Sequence, residues 1–394
     1  MDDGKSTLVG RLLYESRQVM EDQLASIEAA SRARGRSEID LALLTDGLRS
    51  EREQGVTIDV AYRHFSLGAQ RFLLIDAPGH VQYTRNMFTG ATHADVALIL
   101  VDATRGFTDQ TLRHCMVCAM VGLRDVVLVL NKMDLAGFEQ AAYDRFVREA
   151  RGRLRGILEP RAVIPVSALN GDNVIEPSAA MKWYQGATVS QFLATPVEKP
   201  VAQPFLMPVQ GLESVKLPDG RMERWVTGRI VSGEIALGAP LMIGDLPTEV
   251  LALRRGSVEI DFAREGDSVA LRVGSEIEVS RGDLLSGAPV AKVNETRARL
   301  FWMSKTPLKL NHPYIALHGR KQIQVFVSEL ASVYDIKDLG EKSAALLQEN
   351  EFGIVSLKTS APIPAIGYSE SRTLGSFVLI DPATKNTISG GVIL

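Results

Sequence analysis

Cysteine is scarce in this sequence, with Cys115 and Cys118 the only two among 394 residues. That excludes a disulfide framework and fits a reducing cytoplasm. An excess of one charge is also lacking: 44 basic residues face 47 acidic ones, for a formal net charge of −3. Nucleic acid is therefore not an expected partner, because no broad basic surface stands ready to neutralise phosphates and only a local patch could do so. No long charge-free apolar run offers a membrane span, and no signal peptide is visible, so no membrane partner is expected. Short-period repeats and low-complexity tracts are missing as well. What the chain has is length beyond one domain, with 45% hydrophobic and 23% charged residues, enough for sizeable cores.

The two cysteines form C-x-x-C beside His114, which raises a redox or metal reading. They fall within residues 109–120, whose pattern is that of an amphipathic helix, and no second ligand pair completes a zinc site. A structural role is the expectation. His64, His93, His312 and His318 are read as surface or satisfied core positions.

Chemistry enters with Asp2-Asp3-Gly4-Lys5-Ser6-Thr7. This is the back half of G-x-x-x-x-G-K-[ST], whose backbone N–H groups cradle phosphates while the Lys reaches the β/γ oxygens. The first Gly, the residue after it and the preceding strand have no counterpart. Truncation inside the loop is the expectation, with Met1 not the biological start and the G domain unsound without its central strand. Four further elements make the motif specific. An apolar strand ends in Asp76-Ala77-Pro78-Gly79-His80, where the carboxylate can reach Mg²⁺ through water and the Gly amide can sense a γ-phosphate. Residues 126–130 run into Asn131-Lys132-Met133-Asp134. An Asp there accepts from guanine N1–H and the exocyclic amine, donors that adenine does not present, so GTP is favoured over ATP. Residues 162–166 lead to Ser167-Ala168-Leu169, whose backbone would close over guanine O6. Between the loop and Asp76 lies residues 51–59, with Thr57 as a ligand of Mg²⁺ and γ-phosphate. The order places ligands at the carboxyl ends of strands, as a doubly wound sheet demands.

Periodicity predicts a helix through Leu8, Leu12 and Leu13, a charged helical stretch up to Asp40, and strands over 57–65 and 71–76 around Gly68. A buried strand over 94–101 and a last helix over 183–194 follow, then a Pro-flanked linker at 195–200. Beyond residue 201 short β-rich runs alternate with Gly, Pro and Asp turns, the pattern of antiparallel barrels. The expected fold class is multidomain α/β plus β: a Ras-like P-loop GTPase domain at 1–198, and two antiparallel β-barrels at 199–294 and 295–394.

Over nearly its whole length the chain resembles the translation-factor GTPases. Residues 2–14, 41–48 and 51–63, with 375–381 and 386–388 near the end, are similar to the GTPase subunit of bacterial ATP sulfurylase, sulfate adenylyltransferase subunit 1. The resemblance implies a cytoplasmic GTPase that uses GTP and Mg²⁺. It also implies a catalytic adenylyltransferase partner that forms adenylyl sulfate and pyrophosphate from ATP and sulfate, an uphill step that hydrolysis would drive. By motif, Lys5 would hold the β/γ phosphates, Ser6, Thr57 and Asp76 the metal, and His80 the attacking water. Asn131 and Asp134 would select guanine. Ala77 stands where the family more often has Thr, a place that supplies no ligand. Two alternatives come from other classes: an elongation factor that delivers tRNA, and an inactive remnant whose barrels alone bind. Aminoacyl-tRNA binding separates the first, and GTP affinity the second.

Overall fold

The computed structural model describes residues 3–16, 19, 21–33, 39–44, 59–79, 84–123, 125–195, 203–216, 220, 222–274, 278–334, 341–342 and 346–394. Asp2, Thr57, His80, most of residues 51–59 and most of the linker fall outside the described residues. The chain divides into two compact units, Met1–Glu198 and Lys199–Leu394.

In chain order the first unit carries α1 (Lys5–Glu15), α2 (Glu21–Ala33), β1 (Ala61–Leu67), β2 (Gln70–Asp76), α3 (Thr84–His93) and β3 (Val96–Asp102). Then come α4 (Asp109–Met120), β4 (Asp125–Asn131), α5 (Gln140–Leu154), β5 (Ala162–Pro165) and α6 (Val189–Ala194). β3, β4 and β5 pair in parallel with β4 in the middle. Val126, Val127, Leu128, Val129 and Leu130 are all fully buried, as an unbroken apolar run on a parallel strand covered on both faces requires. β1 and β2 form an antiparallel hairpin turned at Gly68, whose φ of 58° suits glycine. Among the described residues β2 does not pair with β3, so the expected doubly wound sheet is present as two separate sheets.

α1 ties the two sheets together. Its Leu8 and Leu12 pack on Val127 and Val129, while Val9 and Leu13 pack with Phe65, Phe72 and Leu74 of the hairpin. Two pairs at i, i+4, offset by one residue, thus give one helix two apolar stripes and hold its first turn over both sheets. The helix expected over 183–194 is shorter. It begins only at Val189, because Thr188 closes a capping box with Gln191 and the residues before it form turns that include Gly186.

The second unit holds two closed rings of antiparallel strands. In the first, Leu206–Lys216, Met222–Arg229, Ser268–Val273, Leu246–Arg255, Pro240–Ile243 and Leu284–Ser286 follow one another around the ring. In the second, the order is Lys292–Trp302, Thr387–Ile393, Ser376–Ile380, Pro313–His318, Lys321–Tyr334 and Phe352–Pro364. Closure removes open sheet edges, and alternate residues fill each interior: Met207, Val209, Leu253 and Leu271 in one, Leu300, Val327, Val355 and Leu379 in the other. Gly375 sits where only a hydrogen fits, since a Cβ there would stand 2.3 Å from the Tyr368 backbone nitrogen. Gly375→Ala should therefore destabilise the second ring by about 2 kcal/mol or more, by overpacking against backbone that cannot turn away. Denaturant unfolding of the full chain checks this; a transition unmoved from wild type would mean the backbone yields freely.

Candidate functional site

One end of the candidate site begins at Gly4, which caps α1 in the left-handed region at φ 87°. No side chain caps this helix and no acidic residue lies in its first turn, where Lys5, Ser6 and Thr7 follow. The first N–H groups of a helix lack intrahelical partners and carry its positive end, so this terminus is suited to an anion. Lys5 forms an ion pair with Asp76, a buried carboxylate at the end of β2. The cation at the start of α1 and the carboxylate at the end of β2 thus meet at one point. Asp3 precedes Gly4, and its carboxyl is raised by burial against the opposing pull of Arg105.

After Asp76 the chain passes Ala77, Pro78 and Gly79. Gly90 of α3 leaves room for Ala77: a methyl on Gly90 would stand 3.2 Å from the Ala77 Cβ. The Gly79 carbonyl accepts from Gln110 Nε2 at 2.7 Å and lies 2.9 Å from His114 Nε2, both on α4. A carbonyl only accepts, so the His114 hydrogen sits on Nε2. Burial depresses the His114 pKa, with the Gly79 bond opposing and Arg113 assisting, so the ring is held neutral. His114 was expected to have only a structural place beside the cysteines; its spacing of four from Gln110, which puts both on one face of the helix, was the available signal. Cys115 and Cys118 are buried in that helix, and burial pushes the Cys118 thiol up to about 12 and Cys115 higher still. Neither is poised as a thiolate.

The other end is built on the exit of β4. Asn131 is 2% exposed and works in two directions: Nδ2 donates to the Asp3 carbonyl at 2.8 Å, and Oδ1 accepts from the Ala168 N–H at 2.9 Å. One side chain thereby joins the loop before α1 to the loop after β5. Lys132 takes φ 64°, and its ammonium bonds Asp102 Oδ2 at 2.8 Å. Burial would raise the Asp102 carboxyl, but bonds from Lys132 and Thr104 outweigh it and hold the group below the usual range. Met133 is fully buried, so its side chain belongs to the core, and its N–H donates to the Val166 carbonyl at 3.1 Å. Asp134 accepts from Ser167 Oγ at 2.6 Å, which leaves the second carboxylate oxygen for a ligand. The Ala168 N–H being committed to Asn131, Leu169, 51% exposed, is the neighbour in this loop turned to solvent. Arg11 of α1, which the motif pattern does not single out, donates to the carbonyls of Ala168 and Leu169.

Gly4, Lys5 and Asp76 are thus gathered at one end, Asn131, Asp134, Ser167 and Ala168 at the other, with Asn131 spanning both. The family of elongation factor Tu GTP-binding domains matches residues 1–207, and the family of GTP-eEF1A C-terminal-like domains matches residues 295–394. The chain is 39% identical to the bifunctional enzyme NodQ of Rhizobium meliloti (strain 1021), covering 100% of this chain and 62% of that protein. It therefore spans less than two thirds of that curated relative's length. To sulfate adenylyltransferase subunit 1 of Aeromonas hydrophila it is also 39% identical, covering 100% of this chain and 84% of that protein. Among solved structures, the S. cerevisiae Ski7 GTPase-like domain bound to GDP and inorganic phosphate aligns with a TM-score of 0.50 at 16% identity, over 100% of this chain and 95% of that one. That likeness speaks for the fold alone. With full-length identity at this level to a relative it nearly spans, the chain belongs to the sulfate adenylyltransferase subunit 1 family, whose N-terminal part is a GTP-binding domain of the elongation factor Tu type.

Proposed function

We propose that this chain is the GTP-hydrolysing regulatory subunit of a sulfate adenylyltransferase. It would couple hydrolysis to formation of adenylyl sulfate and pyrophosphate from ATP and sulfate on a separate catalytic subunit. The observation that carries the reading is the Asn131 tie, because a side chain bonded to both the phosphate loop and the base loop organises a site for one ligand with phosphates at one end and a purine at the other.

The residues divide the work. Asp134 accepts from the guanine N1–H and amine, and Asn131 keeps the walls of the base pocket in register. Lys5 binds the β/γ oxygens, and the N–H groups at the start of α1 bind the phosphate next to it. Lys5 is already matched to an anion here, in Asp76, and exchange of that partner for phosphate would free the carboxylate. Asp76, Ser6 and Thr57 are hard oxygen donors of the kind Mg²⁺ takes, and when bound the ion supplies charge neutralisation on the transferred phosphoryl group. His80 orients the attacking water. The family's adenylyl transfer makes a high-energy mixed anhydride, and closure of these loops about GTP, relaxed on hydrolysis, would be the element through which the partner reads the nucleotide state. A cytoplasmic location suits this reading: both thiols are free, and no described helix is long and apolar enough to cross a membrane.

The test uses the full chain with its catalytic partner. His80→Ala should leave GTP affinity nearly intact and slow hydrolysis on the order of 10²-fold, since it removes a group that acts on water and not on the ground-state phosphates. GTP-stimulated adenylyl sulfate synthesis should fall with it. Unchanged stimulation would defeat the coupling mechanism, and retention of aminoacyl-tRNA by the GTP-bound chain would favour tRNA delivery instead.

A further inference from the structure

One side chain of α1 reaches across to the base end. Arg11 Nε donates to the Ala168 carbonyl at 3.1 Å, and its Nη2 donates to the next carbonyl, that of Leu169. Two successive carbonyls on one planar guanidinium is an arrangement that a lysine ammonium does not reproduce. Glu15 stands one turn further along α1, with Oε1 3.6 Å from Arg11 Nη1. The side chains of Arg11 and Glu15 are only 18% and 25% exposed, so this is a packed pair and not a solvated one. Glu15 lies against Gly171, where an added Cβ would meet its Oε1 at 2.7 Å. Gly171 has φ 91° and donates its N–H to the Ser167 carbonyl at 2.8 Å, so residues 167–171 form a closed turn whose glycine admits the carboxylate.

From its other side the same turn is held by the base motif, through Asn131 to the Ala168 N–H and Ser167 Oγ to Asp134. The N–H and the carbonyl of Ala168 are therefore both engaged, one by the end of β4 and the other by α1. We propose that Arg11, seated by Glu15, is a positioning residue for guanine recognition. It fixes the loop at 167–169 to the helix that starts at Lys5, so the grip on the base and the grip on the phosphates form one rigid body. The inference rests on the reading of Asn131, Asp134 and this loop as a guanine site. Without Arg11 the loop loses its hold on α1 and the contact to the base's O6 weakens, while the phosphate chemistry at the far end is untouched.

Release of ribose-labelled GDP from the full chain, followed by stopped flow, tests this together with single-turnover hydrolysis of GTP. Arg11→Ala should release GDP roughly tenfold faster, the loss of a bidentate charge-assisted contact. Arg11→Lys should fall between it and wild type, and hydrolysis of bound GTP should stay within about twofold of wild type, the split expected of a group that positions the base and not the reacting phosphate. The triphosphate of 2-aminopurine riboside, which lacks O6, should leave wild type and Arg11→Ala at the same rate. Equal acceleration for that analogue would make Arg11 a prop for the whole helix and overturn the proposal, as would unchanged GDP release. Should Arg11→Ala not fold, Arg11→Lys carries the test, and release equal to wild type overturns it. A wild-type chain that does not prefer GTP over ATP would instead defeat the guanine reading itself, with no variant needed.

Discussion

Asp134→Asn should turn a guanine site into a xanthine site. In wild type one carboxylate oxygen accepts the Ser167 hydroxyl at 2.6 Å, and in the proposed reading the carboxylate faces the base. Guanine presents two donors on that edge, N1–H and the 2-amine, and two acceptor oxygens answer them. An Asn amide keeps an oxygen that can accept from Ser167 and from N1–H, but sets an NH₂ against the 2-amine. Two donors then confront each other in a partly enclosed site, which costs the full desolvation of both. Xanthine has a carbonyl at that place and restores the match. GTP affinity should fall roughly 10²-fold or more, and xanthosine triphosphate should gain by a similar factor, the scale on which a site built for hydrogen bonds rejects a mismatched partner. Competition of both nucleotides against labelled GDP measures it. Full retention of GTP preference would show that Asp134 does not face the base. Ser167→Ala is the companion variant: loss of the orienting hydroxyl should weaken GTP far less, since the carboxylate keeps both oxygens.

The strand ends that carry this chemistry were legible because each motif marks a strand exit. An apolar run followed by Asp76, by Asn131 or by Ser167 announces where β2, β4 and β5 stop. The barrels were legible for a related reason, since Gly and Pro turns at close spacing admit few other arrangements. What lay hidden was the closure between distant segments. Asn131 bonds the carbonyl of Asp3 and the amide of Ala168, contacts to backbone groups that no residue type advertises. Arg11 and His114 were missed for the same reason: each donates to carbonyls of another segment, and a helical pattern tells which face a side chain is on but not what stands across from it. Met133 shows the converse. It sits within the N-K-x-D run, yet its side chain is buried in the core, just after the left-handed turn at Lys132.

Gly4→Ala should abolish nucleotide binding by breaking that closure. The residue holds φ 87°, a conformation that costs an L-residue about 1–2 kcal/mol. Strain is the smaller part. A Cβ at Gly4 would stand 2.2 Å from Asn131 Nδ2, and Asn131 is buried with both of its polar atoms engaged. It cannot turn aside without leaving the Asp3 carbonyl and the Ala168 amide unpaired, each a further loss of about 1–3 kcal/mol. The substitution thus acts at the phosphate end and the base end together, and affinity for GTP and GDP should drop by more than roughly 10²-fold. Gly68→Ala makes the comparison fair: it has a positive φ of 58° with nothing within 4 Å of the added methyl, so it carries strain without collision. That variant should bind nucleotide like wild type while losing a little stability. Equilibrium titration with labelled GDP separates the two, and a Gly4→Ala chain that binds within threefold of wild type would mean that Asn131 does not organise the site.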